Sequence, residues 1–184
     1  MGAAAAMSAA EAPVSPERYS RLQIALHWAI AVLIVIQLVY NEPMQRAFGD
    51  RVAGDGLALG GGALVHMVLG STVLVLAVIR LFVRARRGVP APHAANPLLV
   101  TWAGHATHLA LYVMIFAMPL TGLAAWFFGS EAAATYHEIG RLVIIVLIGL
   151  HILGALAEHF VFRNDAILRM LGVSRPDASP RPAE

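Results

Sequence analysis

Four long apolar stretches dominate this sequence and limit the folds open to it. They run over roughly Leu22 to Tyr40, Leu57 to Val83, Leu98 to Phe128 and Ile139 to Phe162. A helix needs about 18 to 20 apolar residues to cross the hydrocarbon core of a bilayer, and each stretch is long enough. Of the 184 residues, 59% are hydrophobic and only 13% are charged, which is typical of integral membrane proteins. We expect an all-α, integral membrane fold in which four helices run up and down in one bundle.

The basic residues predict how this bundle is oriented. All 13 are arginines, and ten of them lie near the chain ends or in the connection between the second and third stretches. The other three, Arg46, Arg51 and Arg141, fall on the opposite side. Because basic residues favour the cytoplasmic side of a membrane, both termini and the loop from Arg84 to Asn96 are predicted to be cytoplasmic. The excess of arginine follows from this asymmetry and indicates no nucleic-acid partner.

The two chain ends differ in composition from the apolar region. Residues 1–17 are rich in alanine and lack the basic region and cleavage site of a signal peptide, so we expect a disordered cytoplasmic leader. Residues 18–171 form the predicted membrane domain, which ends in a short interfacial helix after Arg163. Residues 172–184 are rich in Pro, Ser, Arg and Asp and predict a disordered cytoplasmic tail.

Four histidines, His27, His66, His137 and His151, lie inside the apolar stretches. An ionisable side chain at membrane depth is costly and indicates function. Fourteen residues separate His137 from His151, which is about 21 Å along a helix and about 40° around it, so both face the same side in different leaflets. In an up-and-down bundle, His66 shares the outer depth with His137, and His27 shares the inner depth with His151. One such histidine equally suits a hydrogen bond between helices, but four at two matched depths favour a cofactor.

Two imidazoles at one depth on different helices suit the two faces of one iron, so the pairs predict two haem groups. The chain has no cysteine, which excludes iron–sulfur clusters, thiolate ligands and covalent haem attachment, and leaves haem b. A porphyrin also needs flat space beside its ligands. Gly70 follows His66 by four residues, and Gly140 and Gly154 each follow a histidine of the last helix by three. These glycines supply that space, although close helix packing is the other common role of membrane glycines.

Other polar residues of the inner half have more than one interpretation. His105 and His108 are spaced like a metal-binding pair, but no carboxylate or thiol accompanies them, so we expect them to line an inner cavity or a haem edge. His159 is an alternative inner ligand, a group beside a bound quinone, or an interfacial side chain. Arg80 is a candidate partner for haem propionates or a quinone oxygen. His93, in a proline-rich loop, is expected to be solvated only.

Several different short motifs follow one another along the four stretches, and their order and spacing are specific. They are Arg18-Tyr19-Ser20-Arg21-Leu22-Gln23 with His27-Trp28, His66-x-x-x-Gly70 with Arg80-Leu81, His108-Leu109 through Tyr112 with Pro119-Leu120-x-Gly122, His137-Glu138 with His151, and Asp165 to Arg169-Met170-Leu171. From about Arg18 to Leu171, the chain resembles bacterial cytochrome b561.

This resemblance implies a dihaem b-type cytochrome of the bacterial inner membrane that exchanges electrons with the quinone pool. The axial ligands of that family fall on His27, His66, His137 and His151. Members similar to this chain include a superoxide oxidase, in which superoxide gives its electron on the periplasmic side and ubiquinone is reduced. Other relatives are haem subunits of hydrogenases and formate dehydrogenases. The implied cofactors are two haem b groups, with ubiquinone as a substrate or bound cofactor.

Three functions remain open on the sequence alone. The first is an oxidoreductase that passes electrons from superoxide to ubiquinone, the second a haem-b anchor for a periplasmic dehydrogenase or hydrogenase, and the third a haem-free transporter of metal or protons. Five acids against three bases on the outer segments disfavour an anionic donor, unless folding clusters Arg46, Arg51 and Arg141 over the outer haem. Short outer loops offer little surface to a large partner, which favours the free-standing enzyme. Membrane lipid and the quinone pool are the expected partners, and a homo-oligomer is left open.

Overall fold

The computed structural model describes residues 16–54, 60–93 and 96–173. In these residues there are six helices and no strand, namely α1 (Arg21–Val39), α2 (Glu42–Ala53), α3 (Gly61–Arg87), α4 (Leu98–Phe128), α5 (Glu131–Phe160) and α6 (Ala166–Leu171). Four of them, α1, α3, α4 and α5, are long and apolar enough to cross a membrane. The predicted all-α membrane bundle is therefore confirmed. The predicted leader and tail lie almost entirely outside the described residues.

The bundle consists of two closely packed helix pairs. The contacts are most extensive between α4 and α5 and next between α1 and α3, while α3 and α4 join the pairs. Few apolar side chains are buried inside the chain itself, and Val39 and Phe128 are 80% and 85% exposed. Lipid tails cover such side chains in a membrane, so packing between these helices has no need of a large apolar core.

The start of α1 is fixed to the end of α3. Ser20 and Gln23 form a capping box, in which the Ser20 hydroxyl accepts from the Gln23 amide and the Gln23 side chain accepts from the Ser20 amide. The Gln23 side chain also donates to the Gly88 carbonyl at 2.9 Å, and the Arg80 guanidinium donates to the Gln23 carbonyl at 2.8 Å. These bonds bring the predicted inner ends of both helices together.

The outer connection differs from the short loop expected there. The segment after α1 folds into the 12-residue helix α2, with Pro43 in its first turn and Gly54 as a left-handed C-cap at φ 85°. Pro43 packs so closely on α3 that a Cβ at Gly62 would lie 2.5 Å from the Pro43 Cβ. The expectation of short outer loops was therefore wrong at this connection. A polar helix of three turns gives no signal in a search for apolar spans.

The predicted short helix near the end of the domain is confirmed as α6. The Trp28 indole donates to the Met170 carbonyl at 2.9 Å, and Arg169 pairs with Asp165 at 2.8 Å. His93 also contacts Asp165 through its Nε2 atom. The expectation that His93 is only solvated was wrong, because α6 brings a carboxylate to it. These contacts hold α6 against α1 and the α3–α4 loop.

Candidate functional site

The half of the bundle that the arginine distribution predicts to be the outer one, called the outer half below, holds a pair of facing histidines. The rings of His66 on α3 and His137 on α5 have centres 6.3 Å apart and planes at 68°. The Nδ1 atom of His137 donates to the Met118 carbonyl on α4 at 2.8 Å. With its proton held on Nδ1, His137 keeps a lone pair on Nε2, which is the form that binds a metal.

A cavity of about 220 Å³ adjoins this pair. Four buried polar atoms at the cavity have no hydrogen-bond partner among the described residues, and they are Gln37 Oε1, Asn41 Nδ2, His66 Nδ1 and Arg141 Nε. The His66 atom lies near the Tyr40 backbone without reaching hydrogen-bond geometry. Buried polar groups in proteins are nearly always bonded, so these atoms are available to a bound group or to ordered water in the cavity.

Two of these cavity residues, Gln37 and Asn41, were not predicted from the sequence. Gln37 is the only amide side chain within α1 after Gln23, and that isolated polarity was an available signal. Its Nε2 atom donates to the His66 carbonyl at 2.9 Å, which fixes α1 against α3 at the level of the site. Asn41 gave no comparable local signal, because its place at the cavity depends on which helices pack together.

The inner half brings three histidines together. The ring centres of His27 on α1 and His151 on α5 are 6.1 Å apart. His108 on α4 contacts His151 with ring centres 5.0 Å apart and planes at 79°. The sequence placed His108 at an inner cavity or haem edge, and the structure places it directly against His151.

These ring separations test whether haem fits between the histidines. An imidazole nitrogen binds a metal at about 2.0 to 2.1 Å, and the ring centre lies about 1.15 Å further out, so rings on opposite faces of one iron are separated by about 6.3 to 6.5 Å. The 6.3 Å pair His66–His137 and the 6.1 Å pair His27–His151 agree with this separation, whereas the 5.0 Å contact of His108 is too short. The two histidine pairs thus have the spacing needed to hold two haems. The role of these four histidines as axial ligands stays a prediction.

A metal held by side chains alone has no site in the described parts of the chain, because no three His, Cys, Asp or Glu side chains are grouped to bind one. Two facing imidazoles supply only two of the six ligands of an octahedral iron. A porphyrin supplies the other four. The paired histidines therefore suit a macrocyclic cofactor better than a bare ion.

The glycines near the histidines have different surroundings. A Cβ at Gly70 would lie 2.9 Å from Gln37 Nε2, and one at Gly140 would lie 2.5 Å from Met118 Sδ, so both permit close helix packing. A Cβ at Gly154 would meet nothing within 4 Å among the described residues, which leaves room beside it.

The two remaining candidates lie at the inner end. Arg80 is half-buried and close to both His27 and His151. His159 is eight residues beyond His151, about 12 Å along α5, and its ring contact is with Phe160 at 4.8 Å. The structure therefore brings Arg80 to the inner histidines and leaves His159 apart from them.

A membrane-spanning bundle with facing histidines at two depths defines a membrane cytochrome b. The family model described as prokaryotic cytochrome b561 matches residues 18–173, and the chain belongs to this family. The protein is accordingly a multi-pass membrane protein that uses haem b for electron transfer, as the resemblance implied.

Several curated proteins are similar to the chain along most of its length. Cytochrome b562 of Cereibacter sphaeroides is 35% identical over 83% of this chain and 94% of its own. A protein of Yersinia pestis named probable superoxide oxidase CybB is 26% identical over 86% of this chain and 98% of its own. Cytochrome b561 homolog 2 of Escherichia coli K12 is 25% identical over 89% of this chain and 96% of its own.

Proposed function

We propose that this cytochrome binds two haem b groups and passes electrons from superoxide at its outer side to ubiquinone at its inner side. His66 and His137 would hold the outer haem, and His27 and His151 the inner one. The observation that carries the proposal is the match of both ring separations, 6.3 and 6.1 Å, to the spacing of two imidazoles across one iron.

Haem b, when bound, supplies reversible one-electron transfer at each level. The chain holds the two levels about 21 Å apart along α5, the rise of the 14 residues from His137 to His151. In the net reaction, two superoxide anions lose one electron each and become two molecules of O₂. One ubiquinone takes up those two electrons and two protons and becomes ubiquinol.

The arginines of the outer half support an anionic donor. Arg141 lines the outer cavity with Glu138. Helix α2 places the Arg51 guanidinium 5.2 Å from the ring centre of Trp126, another lining residue, and Arg46 is paired with Glu42. Folding therefore brings the guanidinium groups of Arg51 and Arg141 to the cavity, an arrangement that the sequence left open for the outer arginines. A positive opening raises the encounter rate of a small anion.

The polar residues of the inner end suit the protons that quinone reduction consumes. Asn96 and Asn164 donate to the Glu158 carboxylate at 3.4 and 3.2 Å, and the His159 Nδ1 atom is buried without a partner among the described residues. We place the quinone near this end, with Arg80 as a donor to a quinone oxygen or a propionate. We also place this end on the cytoplasmic side of a bacterial inner membrane, together with both termini.

A stoichiometric assay tests the proposed reaction. Purified protein in nanodiscs receives known amounts of superoxide, and formation of ubiquinol from a short-chain ubiquinone is measured. We expect two superoxide anions consumed for each ubiquinol, and no ubiquinol when superoxide dismutase is added first. A protein that carries both haems but forms no ubiquinol would contradict the superoxide reaction and favour the anchor function. The haem-free transporter is not retained, since the family is one of haem-b proteins.

A further inference from the structure

Helix α4 places equivalent positions opposite the two histidines of α5. The two helices pack side by side. They are antiparallel, so 14 residues forward along α5 corresponds to 14 residues backward along α4. His137 contacts three residues of α4, namely Met118, Thr121 and Gly122. The equivalent residues opposite His151 are Gly104, Thr107 and His108, and the ring contact between His108 and His151 agrees with this register.

The two levels differ at one of these equivalent positions. At the outer level the position is Gly122, where a Cβ would lie only 3.1 Å from the His137 ring. At the inner level it is His108. His151 therefore has an imidazole beside it at this position. His137 has only the hydrogen atom of a glycine there.

The hydrogen bonds of the two levels differ accordingly. His137 donates from Nδ1 to the Met118 carbonyl at 2.8 Å. The equivalent inner carbonyl, that of Gly104, accepts instead from His108 Nδ1 at 2.7 Å. The His151 ring makes no hydrogen bond with any described residue. His108, whose proton is on Nδ1, therefore has a free lone pair on Nε2 next to a histidine that lacks an acceptor.

The distance between the two rings suits a hydrogen bond. Two imidazoles joined by a nitrogen–nitrogen hydrogen bond of about 2.9 Å have ring centres up to about 5.2 Å apart, and the observed separation is 5.0 Å. The same separation is too short for an iron between them.

We propose that His108 is a positioning residue for His151 and that its Nε2 accepts the Nδ1 proton of His151 when His151 binds the inner haem iron. The inference rests on the two-haem arrangement proposed above. An imidazole lone pair is a stronger acceptor than a peptide carbonyl, so His151 becomes the more basic ligand. A more basic ligand favours the oxidised iron and lowers the reduction potential. His108 thereby sets the two haems at different potentials although all four axial ligands are histidines.

Redox titration of the full-length protein, with low-temperature electron paramagnetic resonance of each oxidised haem, tests this role. The inner haem is first identified as the one that His27→Ala removes. His108→Leu should raise the reduced-to-oxidised ratio of that haem at a fixed ambient potential, by up to about tenfold or about 59 mV. Its resonance signal should also shift, while the outer haem stays unchanged. His108→Gln retains an acceptor oxygen and should return both readouts toward those of the natural protein.

His105→Leu is the matched control, because His105 lies three residues away on the same helix and, unlike His108, has no ring contact with His151 among the described residues, and it should change neither haem. Two haems with an inner potential and signal unaffected in both His108 variants would overturn the inference and leave the proposed function standing. Loss of one haem in His108→Leu, with both haems retained in His27→Ala, would make His108 an axial ligand and also overturn it. Fewer than two haems in the natural protein would reject both proposals.

Discussion

His66 and His137 face each other across the outer level of the bundle with ring centres 6.3 Å apart. They come from α3 and α5, which are separated in the chain by the whole of α4. The His137 ring is held by the Met118 carbonyl, and the His66 backbone carbonyl accepts from Gln37. All four membrane-spanning helices thus contribute to the geometry of this level, so changes outside the two ligands should also affect it.

Gly122 should control the position of the His137 ring. In Gly122→Ala the new Cβ would lie 3.1 Å from the ring, closer than ordinary van der Waals contact, so the ring must shift by a few tenths of an ångström. We expect a shifted resonance signal and potential for the outer haem with little change in its absorbance. Gly149→Ala on α5 is the control, because a Cβ there meets nothing within 4 Å among the described residues. Equal effects of the two variants on the outer haem would show that this close approach is unimportant.

Arg141 should set the rate of reaction with superoxide. Its Nε atom is buried, unpaired among described residues and adjacent to the outer cavity. We expect Arg141→Gln to lower the superoxide-dependent rate about tenfold at low ionic strength and less at high salt, because the lost attraction is electrostatic. The rate is measured by stopped-flow haem reduction in protein with normal haem content. Arg86→Gln, which removes one exposed charge at the other end, should leave the rate within twofold, and an equal loss in both variants would contradict local steering.

The length and hydropathy of the apolar stretches were enough to predict the four spans, and the 14-residue spacing on α5 was enough to group four histidines into two pairs. Helix α2 was missed because hydropathy does not reveal a short polar helix. The start of α5 at Glu131 rather than near Ile139 had an available signal, since Ser130 caps the helix by accepting from the Ala133 amide.

The missed contacts have a common physical cause. The pairing of His93 with Asp165, the approach of Gly122 to His137 and the contact of His108 with His151 all depend on the register between helices. Side-chain packing at the interfaces sets that register, and the pattern within one helix does not contain it.

The attachment of α6 should depend on pH through Asp165. Burial alone would raise the pKa of this carboxyl, but hydrogen bonds from Arg169 and His93 outweigh it and hold the pKa below the usual value. A carboxyl with a lowered folded-state pKa stabilises the structure above its unfolded-state pKa, and that contribution is lost as the pH falls through the folded value. We therefore expect α6 to stay attached from pH 7 to about pH 4 and to loosen below that.

A nitroxide on exposed residue 171 measures this attachment by its mobility. Asp165→Asn should raise the mobility at pH 7 and remove the acid-dependent change, while the label in the natural protein should become mobile only in acid. An Asp165→Asn variant with the same acid transition as the natural protein would assign that transition to another group.

The most direct test of the account is the haem content of the purified chain and of two variants, counted as pyridine haemochrome per polypeptide after expression with ample haem. We predict two haem b groups in the natural protein and one in each of His66→Leu and His27→Leu. The haem that remains should have a different spectrum in the two variants, because each removes the haem of one level. A natural protein with a single haem, or a His66→Leu variant that keeps both, would contradict the pairing of histidines at two levels.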